Sequence, residues 1–140
     1  MTTIAFDGKI LASDSLVTCD GMICGDVTKI HRIDGGYIGC AGDLSDIASV
    51  VYWLQGVSDK PKDVAVFSAI IVLDDGRAFE MDEKMVRFQC AIPNAVGSGA
   101  KYALTAMKLG KSASEAVEVA ISMDIYSGGE VVSHDCSGKK

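Results

Sequence analysis

A chain of 140 residues that is 49% apolar is long enough to bury a substantial core, yet no apolar run reaches the length of a bilayer crossing. The formal net charge of -6 and the scatter of the 13 basic residues argue against nucleic acid as a partner. Five cysteines without a CxxC spacing and only two histidines predict reduced thiols in a cytoplasmic protein, with no metal site and no cofactor; no signal peptide is expected either.

From the start, "TIAF" reads as a short apolar strand, "DGK" as a tight hairpin turn and "ILASDS" as the antiparallel partner. The stretch "LVTCDGMICGDVTKIHRIDGGYIGCAG" gives further short strands broken at Asp20-Gly21 and Asp34-Gly35-Gly36. After Gly42 the period becomes helical: Asp43 or Ser45 caps a helix running to about Gln55, with Leu44, Ala48, Val51 and Leu54 on one face and Tyr52 near its edge. "GVSDKPKD" is a polar loop, and "VFSAIIVLDDGRAFEMDEKMVRFQCAI" reads as two strands around an Asp-Gly turn, with a third after them. Two helices follow in "SGAKYALTAMKLG", closed by Gly110, and "SASEAVEVAISMDIYSG", capped by Ser112 or Ser114; the last strand is "EVVSH". Without repeat or linker, this order predicts a single domain over residues 1–140, an α+β sandwich of two stacked sheets with helices outside.

In such a sandwich the first strand can lie inside a sheet, which fixes the residues before it. Those residues are threonines. A threonine hydroxyl is a weak nucleophile that needs a base, and for a residue at a chain start the nearest base is its own α-amino group, of pKa about 7.7 to 8. Thr2 can carry both functions once Met1 is removed, and a small second residue permits that removal.

Three further stretches bear on this chemistry. "ASDS" sets Asp14 at the end of an apolar strand, "DVTKIHRI" sets Lys29 in a later one, and "DIYSGG" sets Asp124 and Ser127 where a helix ends. Each has an ordinary reading: a turn aspartate, a surface lysine, helix-end polar groups, and Ser98 in "VGSGAKY" as a helix cap. In this order, with the Thr-Thr start and the "AGD" before the first helix, they resemble the threonine peptidases of the Ntn-hydrolase superfamily, the proteasome β subunit and HslV. The resemblance covers most of the chain. "DIYSGG" is nearer the proteasome β form, whereas a start without a propeptide is nearer HslV.

The resemblance implies a four-layer αββα Ntn-hydrolase sandwich, two antiparallel sheets flanked by helices, and a threonine-type endopeptidase. By it, Thr2 is the nucleophile, Lys29 the cation that favours its alkoxide, and Asp14 the partner holding Lys29. Ser98, Asp124 and Ser127 surround the amine, and the Gly42 N–H faces the oxyanion. Val17 and Thr18 offer backbone to an extended peptide, and Val17, Val27, His31, Cys40, Leu44 and Ala48 line the pocket for the residue before the cut, which suits an apolar side chain. His31 is equally readable as a structural histidine, and Cys40, in an apolar strand, as a packing residue.

The same resemblance implies a polypeptide substrate, a homo-oligomeric ring and an ATP-dependent unfoldase, with neither nucleic acid nor membrane as partner. Two departures bear on it. The family's second long helix, which builds ring-to-ring and partner surfaces, is replaced by "GVSDKPKDVAV", so the sandwich is shortened by one helix and stacked rings and an unfoldase lose support. Asp43 stands where proteasome β subunits commonly carry a second glycine, putting a charge near the oxyanion region. Two alternatives stay open: an Ntn amidase acting on a small amide, which needs no shared chamber, and a catalytically silent ring subunit that keeps Met1.

Overall fold

The computed structural model describes residues 2–137. Two short apolar strands, β1 (Ile4–Phe6) and β2 (Ile10–Ser13), form the first hairpin, closed by Asp7, whose Oδ1 accepts the N–H groups of Lys9 (2.9 Å) and Ile10 (2.8 Å). The hairpin β3 (Leu16–Cys19) and β4 (Met22–Asp26) turns at Asp20-Gly21 and pairs with no other strand among the described residues. Next come β5 (Ile30–Ile33), β6 (Gly36–Gly42) and α1 (Leu44–Leu54). The chain continues through β7 (Phe67–Leu73), β8 (Ala78–Asp82), β9 (Arg87–Gln89), β10 (Asn94–Val96), α2 (Ala100–Lys108), α3 (Ala113–Met123) and β11 (Val132–Asp135).

The strands make two antiparallel sheets, ordered β10-β1-β2-β11 and β5-β6-β7-β8-β9. Side chains alternate along each strand, so the inner strands of each sheet feed two layers. Ile4, Phe6 and Leu11 meet Ile30, Ile70 and Val72 between the sheets. Ala5 and Ala12 point the other way, onto α2 and α3, which present Ala103, Ala106, Ala113, Ala116 and Ala120. With alanine on both sides, helix backbone can come close to the sheet. On the far face of the second sheet, Ile38, Cys40, Ala69 and Ile71 pack against Val50 and Val51 of α1. The layers run α, β, β, α. Burial of a side chain such as Phe6 contributes about 2–3 kcal/mol.

Local signals account for several boundaries. Ser112 caps α3 in a reciprocal capping box with Glu115, and Asp7 Oδ2 accepts the Ala113 N–H at 2.8 Å, tying the first hairpin to the positive end of that helix. Residues 55–66 contain no helix, as expected of a sandwich one helix short. Two expectations need revision. The buried stripe of α1 is Ile47, Val50, Val51 and Leu54, whereas Leu44 and Ala48 are exposed; the sheet, not the helical period, chooses between two stripes that share Val51 and Leu54. Finally, β10 was not anticipated, because "NAV" is a strand only through its pairing with β1. Among the described residues, no helix is long and apolar enough to cross a membrane.

Candidate active site

Because β1 is flanked by β10 and β2, the two residues before it are gripped from both sides. The Gly99 N–H donates to the Thr2 carbonyl at 3.2 Å, and the Asp14 N–H donates to the Thr3 carbonyl at 3.2 Å. Both threonines are buried. The "GSG" stretch follows from this close passage. A Cβ on Gly97, whose φ is +100°, would run into the Thr2 carbonyl, and one on Gly99 into the Thr3 hydroxyl.

Lys29 approaches from the start of β5. Its Nζ donates to Thr2 Oγ1 at 3.2 Å and to Asp14 Oδ1 at 2.9 Å, with both Lys29 and Asp14 buried. Burial pushes the Lys29 ammonium below its usual pKa, while the charge and hydrogen bond of Asp14 pull it back up. Asp14 is itself saturated: Oδ1 also accepts the Thr3 N–H at 3.1 Å, and Oδ2 accepts the Gly128 N–H at 3.0 Å. A buried ion pair persists only with such extra bonds, because desolvation otherwise outweighs the attraction.

On the other side of Thr2 runs a chain of hydroxyls. The Thr2 N–H donates to Ser98 Oγ at 3.0 Å, and Ser98 and Ser127 each donate to Asp124 Oδ2 at 2.6 Å. Ser127 Oγ is also 2.7 Å from Thr3 Oγ1. Burial works against the charged form of Asp124, but the hydroxyl bonds and the Tyr126 N–H outweigh it and hold the carboxyl below its ordinary pKa. The network therefore keeps an anion beside the Thr2 nitrogen. Thr3 and Gly128 belong to this framework although sequence reasoning assigned them no role; the doubled threonine was the one available hint.

Thr2, Lys29 and Gly42 open onto a cavity of about 390 Å³ that Val17, Thr18, Val27, Cys40 and Leu44 also line. The β3 edge opposite β4 pairs with no strand among the described residues. Asp43 lines the same cavity. His31 and Ala48 do not: they border an adjoining cavity of about 240 Å³ that shares Val27, Leu44 and Ile47 with the first. The rotation of α1 explains this, since it sets Ile47 on the wall common to both. Burial lowers the His31 pKa and raises that of the Cys40 thiol well above its usual range, which leaves Cys40 as packing and not as a nucleophile.

The sequence matches no family model and no curated protein sequence. Among solved structures, Thiobacillus denitrificans BPH superposes with a TM-score of 0.76 at 19% identity, covering 96% of each chain. The same protein in complex with epoxomicin gives 0.74 at 18% identity, over 96% of this chain and 97% of that one. Eukaryotic HslV from Trypanosoma brucei gives 0.74 at 19% identity, again over 96% and 97%. A likeness this extensive at so low an identity speaks to architecture, and the conclusion is that this chain has the four-layer αββα sandwich fold of HslV and BPH.

Proposed function

We propose that this chain is an N-terminal threonine peptidase, a single domain over residues 1–140 that cleaves apolar polypeptide segments once Thr2 is the first residue. One observation carries the reading: a buried ammonium, Lys29 Nζ, lies 3.2 Å from Thr2 Oγ1 while Asp14 holds it at 2.9 Å. A cation there lowers the cost of an alkoxide at Oγ1 more than it could in water, since Lys29 is buried and already held in place.

In the proposed mechanism, the free Thr2 amine takes the hydroxyl proton, directly or through water, as Oγ1 attacks the scissile carbonyl carbon. The Gly42 N–H faces the resulting oxyanion. The ammonium then passes its proton to the departing amine, the C–N bond breaks, and an ester to Thr2 remains. Water, deprotonated by the same amine, hydrolyses that ester and restores the hydroxyl. Ser98, Ser127 and Asp124 orient the amine and favour its protonated state between these steps. Val17, Val27, Cys40 and Leu44 line an apolar cavity for the acyl-side residue, with His31 and Ala48 at its extension.

The assembly we infer is a cytoplasmic homo-oligomeric ring. An ATP-dependent unfoldase as its feeder is tested by whether a folded substrate is degraded only with ATP. The central test is Thr2→Ala, which is expected to keep the fold by circular dichroism and to abolish hydrolysis of apolar fluorogenic peptides. Wild-type rates in that variant would remove Thr2 from the mechanism.

A further inference from the structure

Thr2 stands between two cavities. The first, of about 390 Å³, holds Lys29; the second, of about 610 Å³, includes Ser98, Tyr126, Ser68 and Glu83 in its lining, and both share Thr2, Gly42 and Val66. The shared wall is fixed. Asp46 Oδ2 accepts the N–H groups of Ala65 at 3.1 Å and Val66 at 2.9 Å, and the Val66 carbonyl accepts the Asp43 N–H at 3.0 Å.

The chemistry of the proposed reaction assigns the halves of a substrate to these cavities. A departing amine must collect a proton, so it leaves on the side of the group that carries it. That group is the Thr2 nitrogen, which is 3.0 Å from Ser98 Oγ, and Ser98 lines the second cavity and not the first. The acyl half therefore lies beside Lys29, and the leaving half enters the second cavity.

Among the described side chains that line the second cavity, Glu83 alone carries a charge. It is exposed, on the turn between β8 and β9, and forms no salt bridge among the described residues. Its nearest charged neighbours in the chain are Asp82 and Lys84, which leaves the turn acidic by one charge. The remaining walls are apolar or neutral: Ala65, Val66, Phe67 and the serines. A largely apolar cavity with one carboxylate in its lining fits a long alkyl stem with a cationic head.

We propose that Glu83 is a specificity-determining residue on the leaving-group side, and that it selects a lysine or arginine as the residue following the cut. The proposal rests on the peptidase reading. Because the pair is solvent-exposed, the effect is moderate and weakens with salt, about three- to fivefold in kcat/KM for each change of charge.

The test uses quenched peptides identical but for lysine, alanine or glutamate after a fixed leucine cut site, with cleavage positions read by mass spectrometry, and a leucine coumarin amide as a reference. The readout is the ratio of kcat/KM between the lysine and glutamate peptides. Wild type is expected to favour lysine by about tenfold at low salt, Glu83→Gln to bring the ratio near unity and Glu83→Lys to invert it. A wild-type ratio near unity, or one that neither variant moves, overturns the inference while coumarin hydrolysis leaves the peptidase reading standing. If wild type whose first residue is Thr2 hydrolyses neither peptides nor coumarin amide, the peptidase reading falls and this inference with it.

Discussion

Asp14 holds Thr3 by the same oxygen that holds the cation: Oδ1 accepts the Thr3 N–H at 3.1 Å and the Lys29 ammonium at 2.9 Å. One carboxylate thus sets both the charge beside Thr2 and the backbone that carries it. Asp14→Ala is expected to lose about 3–5 kcal/mol of stability, because it strands a buried ammonium. Asp14→Asn, which keeps an acceptor but no charge, is expected to cost less stability and to lower turnover. Denaturant unfolding alongside peptide hydrolysis separates the two; Asp14→Ala with wild-type stability would deny the pair its structural role.

Lys29 offers a sharper case. Lys29→Ala is expected to reduce turnover by roughly two to three powers of ten, the scale of losing one electrostatic stabiliser. Lys29→Arg is expected to rescue little. The ammonium sits in a buried slot between Thr2 Oγ1 and Asp14 Oδ1, and a planar guanidinium of different reach cannot take that place. Steady-state kinetics on one apolar fluorogenic peptide decides the matter, and full activity in Lys29→Ala would remove the assignment.

Gly97 is expected to tolerate no side chain. Its φ of +100° is unfavourable for an L residue, and the added Cβ would meet the Thr2 carbonyl. Gly97→Ala is therefore expected to lower stability by about 1–3 kcal/mol from backbone strain alone, and to cut activity further by displacing Thr2. Thermal unfolding and kcat are the measurements. Unchanged kcat would mean that the strand start shifts without moving the hydroxyl.

The amine yields a mass and a pH profile. Active protein is expected to begin at Thr2, so that its intact mass excludes Met1, and an added residue before Thr2 should leave a folded, inert protein. Activity should rise with pH as the amine, ordinarily near about 7.7–8, loses its proton. It should fall again as Lys29 loses its own. Burial lowers the Lys29 pKa, and a lowered pKa in a cation means deprotonation at a lower pH, so the alkaline limb begins below the ordinary 10.5. A profile still rising at pH 10.5 would contradict a charged Lys29 in the reaction.

What the sequence by itself determined is what short-range chemistry writes into it. The Asp-Gly turns, a serine cap at the start of α3, which the structure assigns to Ser112, and the alternation that sends Ile4 and Phe6 one way and Ala5 the other are each written in a few neighbouring residues. The candidate residues Thr2, Asp14, Lys29, Ser98, Asp124 and Ser127 were legible as an ordered set because their types and order resemble a known motif. The tertiary structure decided the rest. Whether α1 buries Ala48 or Ile47, whether "NAV" is a strand, and which cavity receives His31 depend on surfaces supplied from elsewhere in the chain. The placements of Thr3, Gly128 and Glu83 are of the same kind. Thr3 meets Ser127 across 124 residues of sequence, and Glu83 shares a cavity with Thr2 only because the end of β6, residues 65–68 and the "GSG" turn line one space. Local patterns fix periodicity and turns, whereas the partner of a side chain is set by which faces the packed sheets bring together.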